Sequence, residues 1–380
     1  MDDDRNYPGI ADLARRARRR VPHFGWEYLE SGTGLDQAAA RNVAALERVT
    51  LWPGILTGRI EPEIAVTLWG ETYGRPFGVA PIGTAALIWP GAERALAKAA
   101  AEARMPYCLS TVATAGMEII ARHAQGMGWF QLYPPADPDI RDDLLARAKA
   151  NGYRVLVVTA DVPVLSRRER QRKAGVTATL ARDPLTYWRI LGRPAWALAA
   201  LRRGAPRFWT LDPYIGGRGG ARAAAFISQY FDQVPSWDYL KALRDLWAGP
   251  LVLKGVMRPE DAERAVAIGV DGIGVSNHGG RQFDAAPAAI EALPAVKAAV
   301  GDRARIIFDS GLRGGLDILR ALALGADFCL LGRAFMYGVG ALGSRGAAHV
   351  AKILTEDLVN NMIQMGVARL DELPGRLAGR

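Results

Sequence analysis

The stretch LVLKGVMRPEDAERAVAIGVDGIGVS, residues 251–276, decides the fold. It opens on a short apolar run, Leu251–Lys254, and closes on another, Gly272–Ser276. Between them Pro259–Ile268 carries helical spacing, begins at a proline and stops at Gly269, the usual punctuation of a helix. Two strands joined by one helix lie parallel, and apolar runs without alternation are buried on both faces. The same unit recurs in both directions along the chain. Strand-like runs fall at Phe77–Ala80, Tyr107–Ser110, Trp129–Tyr133, Val155–Thr159, Ile306–Asp309 and Phe328–Leu331. Ala-rich helical stretches fall at Glu93–Arg104, Ile140–Asn151, Ala288–Val300 and Gly315–Leu324. Eight strand–helix units predict an α/β protein, a (β/α)8 TIM barrel rather than an open doubly wound sheet.

One spacing is irregular. About 90 residues separate the fourth strand from the fifth, twice what a single helix requires. With no linker and no low-complexity segment, the reading is one domain over residues 1–380. It comprises a helical N-terminal cap (1–65), the barrel (76–335), a basic insertion after strand four (166–235) and C-terminal helices (336–380). The 380-residue chain has a net charge of +9. Between Ser166 and Arg222 it carries 13 Arg and Lys against three acids, a local balance of +10. The insertion therefore holds the whole excess. That excludes a general nucleic-acid binder and points to one local anionic partner. Cys108 and Cys329 are too few for a disulfide framework, and four scattered histidines offer no metal cluster, so no metal and a reducing compartment are expected. No secretory signal opens the chain, and the charge-free run 76–92 is too short and too broken by Pro and Gly to span a bilayer. A soluble or membrane-surface protein is expected.

Barrel active sites lie where the strands end, and all eight ends here are polar, glycine-rich or ionisable. They are Pro81-Ile82-Gly83 after strand one, Ser110 after two, Gln131 and Tyr133 at three, and Thr159 and Asp161 at four, followed by Arg168. Then come Lys254 at five, Ser276 through Gln282 at six, Asp309-Ser310-Gly311 with Arg313 at seven, and Gly332-Arg333 at eight. The last two loops read as a phosphate site, with glycine backbone N–H groups and two arginines; the plain alternative is that Gly-Arg pairs simply end strands. His278, flanked by glycine and followed by Arg281, can serve as a base beside a bidentate carboxylate holder. The alternative is a structural histidine next to a surface arginine. Lys254 reads as an electrostatic tuner or a snorkelling strand cap, Asp161 as a partner to a base or a helix cap. Tyr28 and Tyr133 read as substrate donors or as ordinary aromatic packing.

The run Ser276-Asn277-His278-Gly279-Gly280-Arg281-Gln282 closely resembles the active-site signature of the FMN-dependent L-2-hydroxy acid oxidases and dehydrogenases. That family includes glycolate oxidase, lactate oxidase, L-lactate dehydrogenase and mandelate dehydrogenase. Supporting matches are Glu27 to Gly32, Gln131-Leu132-Tyr133, Thr159-Ala160-Asp161, Lys254-Gly255, Asp309-Ser310-Gly311 and Leu331-Gly332-Arg333, so the resemblance covers nearly the whole chain. It implies that His278 is the base and that Asp161 stabilises its protonated form. It gives the substrate carboxylate to Arg281 with Arg168, and substrate oxygens to Tyr28 and Tyr133. For FMN it implies Lys254 near the N1 and C2 carbonyl edge. Ser110, Gln131 and Thr159 fall on the pyrimidine side, with Pro81, Ile82 and Gly83 in the loop after strand one. Ser276 would lie by the flavin or ribityl chain, and Asp309, Gly311, Arg313, Gly332 and Arg333 by the ribityl and phosphate.

Two departures narrow the resemblance. Val112 stands where glycolate oxidase-like members have a large aromatic, leaving room for a bulkier substrate. Gly83 stands where the oxidase branch tends to carry Ala, as on the mandelate and L-lactate dehydrogenase side. The resemblance thus implies oxidation of an L-2-hydroxy acid, L-lactate first and an L-mandelate-like acid next, to the 2-oxo acid. It further implies transfer of electrons to a membrane quinone. Oxygen as acceptor, or a non-redox barrel using its phosphate loops, are the alternatives, and a non-catalytic membrane-binding module is a third. The chain begins at the family's N-terminal helix, so no fused haem domain is expected. Within the insertion, the 187–214 segment interleaves arginines with Tyr187, Trp188, Trp196, Phe208, Trp209 and Tyr214. Such a composition suits an anionic membrane surface; a lid or a subunit contact is the alternative. A cytoplasmic homo-oligomer, a tetramer, peripheral on the inner face of the membrane, completes the expectation.

Overall fold

A computed structural model describes residues 2–175, 184–204, 206–216, 226–227, 229–230 and 234–379. It opens with four cap helices: α1 (Asp3–Asn6), α2 (Ile10–Arg20), α3 (His23–Glu30) and α4 (Gln37–Glu47). A two-stranded hairpin follows, β1 (Val66–Leu68) and β2 (Glu71–Tyr73), paired antiparallel. Then come the eight barrel strands: β3 (Phe77–Val79), β4 (Tyr107–Ser110), β5 (Gly128–Leu132), β6 (Val155–Thr159), β7 (Leu251–Val256), β8 (Gly272–Val275), β9 (Arg305–Phe308) and β10 (Phe328–Leu331). All neighbours pair in parallel, and β10 returns to β3 to close the barrel. Each expected strand is present, its ends displaced by at most two residues.

The strands are buried on both faces, so their side chains divide between two cores. One set points into the barrel: Cys108, Trp129, Val155, Val157, Val252, Ile307, Phe328 and Leu330. The hairpin closes the N-terminal end of this interior with Leu68 and Tyr73, and the Trp129 indole donates to Tyr73 Oη at 2.9 Å. The interior is filled from that end, which leaves chemistry to the opposite mouth. The other set packs outward against the helices. The sequence reading contained neither this hairpin nor the short helix Met117–Ala124 between β4 and β5.

The cap lies across the barrel's last helix, Arg333–Leu342. Close approach is made by small residues: a Cβ on Gly340 would stand 3.0 Å from Val21 and 3.1 Å from Ala17. α3 thereby delivers Tyr28, and α4 reaches the loop after β8.

Between β6 and β7 lies the insertion. Its described helices are Glu169–Lys173, Pro184–Leu191 and Pro194–Arg203. The regular helix of this unit, Trp237–Leu246, comes only at its end. Arg170 at its root donates to Glu27 at 2.7 Å and also pairs with Asp36, fastening the insertion to the cap. The aromatics of the 187–214 segment do not share one surface. Trp188 and Trp209 are exposed, whereas Trp196 is buried and donates to the Ile88 carbonyl at 3.1 Å. Phe208 and Tyr214 pack partly against the core. The side chain of Tyr187 lies outside the described residues. Among the described residues no helix is long and apolar enough to cross a membrane.

Candidate active site

The C-terminal ends of the strands bring the expected residues to one mouth. The loop after β8 carries His278 at φ 58, a left-handed conformation for a residue with a Cβ. Such a backbone costs about 1–3 kcal/mol and persists only where its surroundings over-determine it. It turns the imidazole toward the end of β6, where Nδ1 meets Asp161 Oδ1 at 2.9 Å. Engagement of Nδ1 leaves Nε2 on the opposite side of the ring. The other carboxylate oxygen, Asp161 Oδ2, is buried with no hydrogen-bond partner.

Burial lowers the proton affinity of His278, and Lys254 and Arg168 add to this against the opposing pull of Asp161. The imidazole therefore titrates below its ordinary value and is neutral at neutral pH. For Asp161, burial alone would raise the carboxyl, but the His278 and Lys254 charges and its hydrogen bonds hold it below the usual range. A neutral imidazole backed by a fixed carboxylate can take up a proton and stabilise the charge that results.

Lys254, on β7, is almost fully buried. Its Nζ donates to Ser276 Oγ at 2.7 Å and lies 3.0 Å from Asp309 Oδ2, and Ser276 Oγ in turn donates to Asp309 Oδ1 at 2.6 Å. Burial would lower the ammonium's pKa, yet Asp309 and Asp161 outweigh it and raise it, so the cation is fixed. Around the other half of the mouth runs a second polar chain. Ser110 Oγ donates to Gln131 Oε1 at 2.8 Å, and Gln131 Nε2 donates to Thr159 Oγ1 at 3.0 Å. Ser110, Gln131 and Thr159 are all buried.

Arg281 spans the loop and the cap. Its Nη1 donates to the carbonyls of Tyr28 at 2.9 Å and Ser31 at 3.0 Å, and the guanidinium lies 5.3 Å from the Tyr28 ring centroid. The Tyr28 hydroxyl donates to the Gly83 carbonyl at 2.8 Å. Arg168 is held by Gln282 Oε1 at 2.8 Å and Ser166 Oγ at 3.1 Å. Tyr230, from the insertion, donates to the Tyr133 carbonyl at 2.7 Å, and burial pushes the Tyr133 phenol up to about 12, so it remains a donor. Burial and the neighbouring Arg168 and Arg333 lower the proton affinity of Arg281, while a guanidinium stays charged at neutral pH. This is concentrated, mutually repelling positive charge, and an anion relieves it.

At β9 and β10 the geometry refines the sequence reading. Gly311 sits at φ 96, and a Cβ there would stand 2.8 Å from Leu46 and 3.0 Å from the Asn42 carbonyl. Its glycine is demanded by the approach of α4. Gly332 has ordinary negative φ and opens the last barrel helix. Arg333 donates to the carbonyls of Leu29 at 3.1 Å and Gly279 at 2.9 Å, and more weakly to Glu30 and Ser31. Arg313 donates to its neighbour's carbonyl at 2.9 Å and faces the Tyr337 ring. Burial and Arg313 lower the proton affinity of Arg333. Pro81, Ile82 and Gly83 form the loop after β3, where a Cβ on Gly83 would come 2.7 Å from Val112 Cγ2.

Asn42 and Tyr230 went unnamed in the sequence reading, Ser166 stood there only as a boundary of the basic stretch, and Ser310 stood only within the quoted run after strand seven. Asn277 and Gln282 stood within the quoted signature. Nothing in the alanine-rich sequence of α4 marks Asn42.

A buried polar rim, one fixed ammonium and two arginines at the last strand ends suit an anionic, heteroaromatic, phosphate-bearing cofactor. The family model for FMN-dependent dehydrogenases matches residues 17–378. The chain belongs to the FMN-dependent dehydrogenase family, and FMN is its cofactor. An L-lactate dehydrogenase of Caulobacter sp. (strain K31) is 37% identical over 364 residues, covering 95% of this chain and 96% of the relative. The crystal structure of (S)-mandelate dehydrogenase, described as a monotopic membrane protein, superposes with a TM-score of 0.93 at 32% identity, covering 99% of this chain and 100% of that one. Mandelate oxidase superposes with a TM-score of 0.83 at 32% identity, over 98% of each chain.

Proposed function

We propose that this protein oxidises an L-2-hydroxy acid to the 2-oxo acid, L-lactate first and an L-mandelate-like acid next. The observation that carries the reading is the His278–Asp161 pair at 2.9 Å beside Arg281, Arg168 and Lys254. Removing two electrons from a carbon next to a carboxylate needs a base, a cation for the carboxylate and an electron sink. Bound FMN supplies the sink.

The chain's own residues do the rest. Arg281, helped by Arg168, holds the carboxylate and fixes the carbon beneath the imidazole. Tyr133 donates to a substrate oxygen, and Tyr28 does so once its hydroxyl proton turns away from the Gly83 carbonyl. His278 accepts a proton at Nε2, and Asp161 holds the ring and stabilises the imidazolium. Lys254 keeps a positive charge where negative charge gathers. Ser110, Gln131 and Thr159 would hold the pyrimidine edge of the cofactor, with the backbone of Pro81, Ile82 and Gly83 along its ring. Ser276, Asp309, Gly311, Arg313, Gly332 and Arg333 would hold its ribityl phosphate. The carbonyls now bound by Arg333 leave Arg313 as the more available phosphate partner.

We assign a membrane quinone as acceptor and a peripheral place on the inner face of the cytoplasmic membrane. Support comes from the insertion, which exposes Trp188, Leu191, Leu198 and Leu201 among Arg189, Arg193, Arg202 and Arg203, and from the likeness to a monotopic mandelate dehydrogenase. A homotetramer is the assembly, and the exposed Trp52, Ile55 and Leu56 are apolar surface that self-association would cover. Oxygen as acceptor is the second reading, favoured by the likeness to mandelate oxidase.

The test is the visible spectrum under anaerobic conditions before and after L-lactate, then L-mandelate. Bleached flavin bands reoxidised faster by a soluble quinone than by air support the full reading. Bands that neither acid bleaches would sink it.

A further inference from the structure

We infer that Asn42, on cap helix α4, is a positioning residue for His278: through a reciprocal amide pair with Asn277 it fixes the loop that aims the imidazole. The inference rests on the reading of His278 as the base.

Residues 277–280 form a short turn whose backbone N–H groups are held by side chains. Asn277 and Gly279 donate to Ser310 Oγ at 3.3 and 3.1 Å. His278 donates to Ser276 Oγ at 3.0 Å, and Gly280 to Asn277 Oδ1 at 3.1 Å. His278, Gly279 and Gly280 are all left-handed, at φ 58, 64 and 76. A run of three such residues survives only when its neighbours dictate it. Ser276 and Ser310 are fixed by the barrel strands that precede them. The Asn277 amide can rotate, and its oxygen and nitrogen must each meet the right partner.

Asn42 closes a reciprocal pair on that amide, in the orientation that the Gly280 N–H and the Pro287 carbonyl also require. Asn42 Nδ2 donates to Asn277 Oδ1 at 2.8 Å, and Asn277 Nδ2 donates back to Asn42 Oδ1 at 2.8 Å. The Pro287 carbonyl accepts from Asn277 Nδ2 at 2.9 Å, and Asn42 Oδ1 also accepts from the Ala289 N–H at 3.1 Å. Both amides are buried. α4 is itself seated by Asp284, whose carboxylate accepts from the Leu35 and Ala38 N–H groups at 2.9 Å each. The approach is close: a Cβ on Gly280 would stand 2.3 Å from Ala39 N.

The pair therefore depends on polarity and not only on shape. An aspartate at position 42 keeps the volume but removes the donor and sets a carboxylate oxygen against Asn277 Oδ1. Turning the Asn277 amide over brings no relief, since its oxygen would then face the other carboxylate oxygen; the pair parts instead, Asn277 Oδ1 draws away from the Gly280 N–H, and the left-handed run loosens. His278 is faced by Asp161 after β6, Lys254 on β7 and Arg168 at the root of the insertion. Reorienting the loop changes its distance to each of them.

The experiment compares Asn42→Asp and Asn42→Ala with Ala45→Gly, a core change on the same helix, all as full-length holoenzyme. Three readouts are taken: the FMN spectrum, anaerobic flavin reduction by L-lactate across pH, and NMR titration of the His278 imidazole in the oxidised protein. Both Asn42 variants should retain FMN. They should lose tenfold or more in limiting reduction rate, with less than a twofold change in the half-saturating L-lactate concentration. Their acid limb and imidazole titration should move together, by about half a pH unit or more. Ala45→Gly should lose thermal stability alone. Asn42 variants that behave like Ala45→Gly would overturn the inference. Loss of FMN from both Asn42 variants would overturn it too, because the pair would then hold the mouth of the barrel as a whole. If L-lactate fails to reduce the unmodified protein, the functional reading is at fault instead. The His278 titration then decides alone: a shift supports the positioning role and an unchanged titration refutes it.

Discussion

The Asp161 carboxylate lies 2.9 Å from His278 Nδ1, joining the end of β6 to the loop after β8. Burial depresses the imidazole and Asp161 partly restores it. If the neutral ring is the active form, the rate is full above the His278 pKa and falls as pH drops through it. The acid limb of flavin reduction should therefore lie below the ordinary histidine value of about 6.5. Asp161→Asn removes the group that raises the imidazole, so the limb should move to lower pH. The limiting rate should fall by about 10²-fold or more, because the imidazolium loses its partner. Stopped-flow reduction across pH checks both, and a limb that moves upward would contradict the pairing.

The Lys254–Asp309 ion pair is buried, with side-chain exposures of 8% and 12%. Lys254→Met leaves Asp309 without its cation in a low-dielectric site. Breaking such a pair from one side costs about 3–5 kcal/mol, which guanidinium unfolding of the protein should show. Flavin reduction should slow as well, since the fixed positive charge at the mouth is gone. An unchanged unfolding midpoint would mean that Asp309 finds its compensation elsewhere.

Gly83 and Val112 meet at the loop after β3, where a Cβ on Gly83 would lie 2.7 Å from Val112 Cγ2 and 3.6 Å from Tyr28 Oη. Gly83→Ala overpacks this corner, an effect of about 1–3 kcal/mol. The KM for L-mandelate should rise by about tenfold, corresponding to about 1.4 kcal/mol, with a smaller rise for L-lactate. Val112→Ala in the same chain should restore most of the loss. Steady-state kinetics on the two single variants and the double variant make the test, and an unrelieved double variant would place the strain on Tyr28 instead.

How much of this was legible in the sequence depends on the range of the interactions. Runs such as Val155–Thr159 are buried on both faces, so their composition alone marks them as strands. The signature around His278 was legible because all its residues sit in one loop. The hairpin at 66–73 was not. Its turn runs through Trp69 at φ 49 and Gly70, without the Asn-Gly or Asp-Gly that announces such a turn. Asn42 was hidden for another reason: its partner lies 235 residues away in the sequence, and only the packing of α4 on the barrel mouth brings the two amides together. Composition carries no direction, so the insertion's sequence did not separate the exposed Trp188 from the buried Trp196.

Trp188 and Trp196 make the last contrast. Trp188 is 73% exposed, and Leu201 on the next helix is 82% exposed. Trp196 is buried, packs edge-on against Phe24 at 5.5 Å and donates to the Ile88 carbonyl. Residues on a membrane-facing surface add affinity for lipid without adding to the fold, whereas a buried tryptophan does the reverse. Trp188→Ser combined with Leu201→Ser should therefore weaken sedimentation with phosphatidylserine vesicles while leaving the unfolding midpoint and flavin bleaching as they are. Trp196→Ala should cost about 3–5 kcal/mol of stability and should not change lipid binding in the fraction that remains folded. Sedimentation that survives the double substitution, at both low and high salt, would remove the membrane from the account. The exposed face would then belong to a contact between subunits.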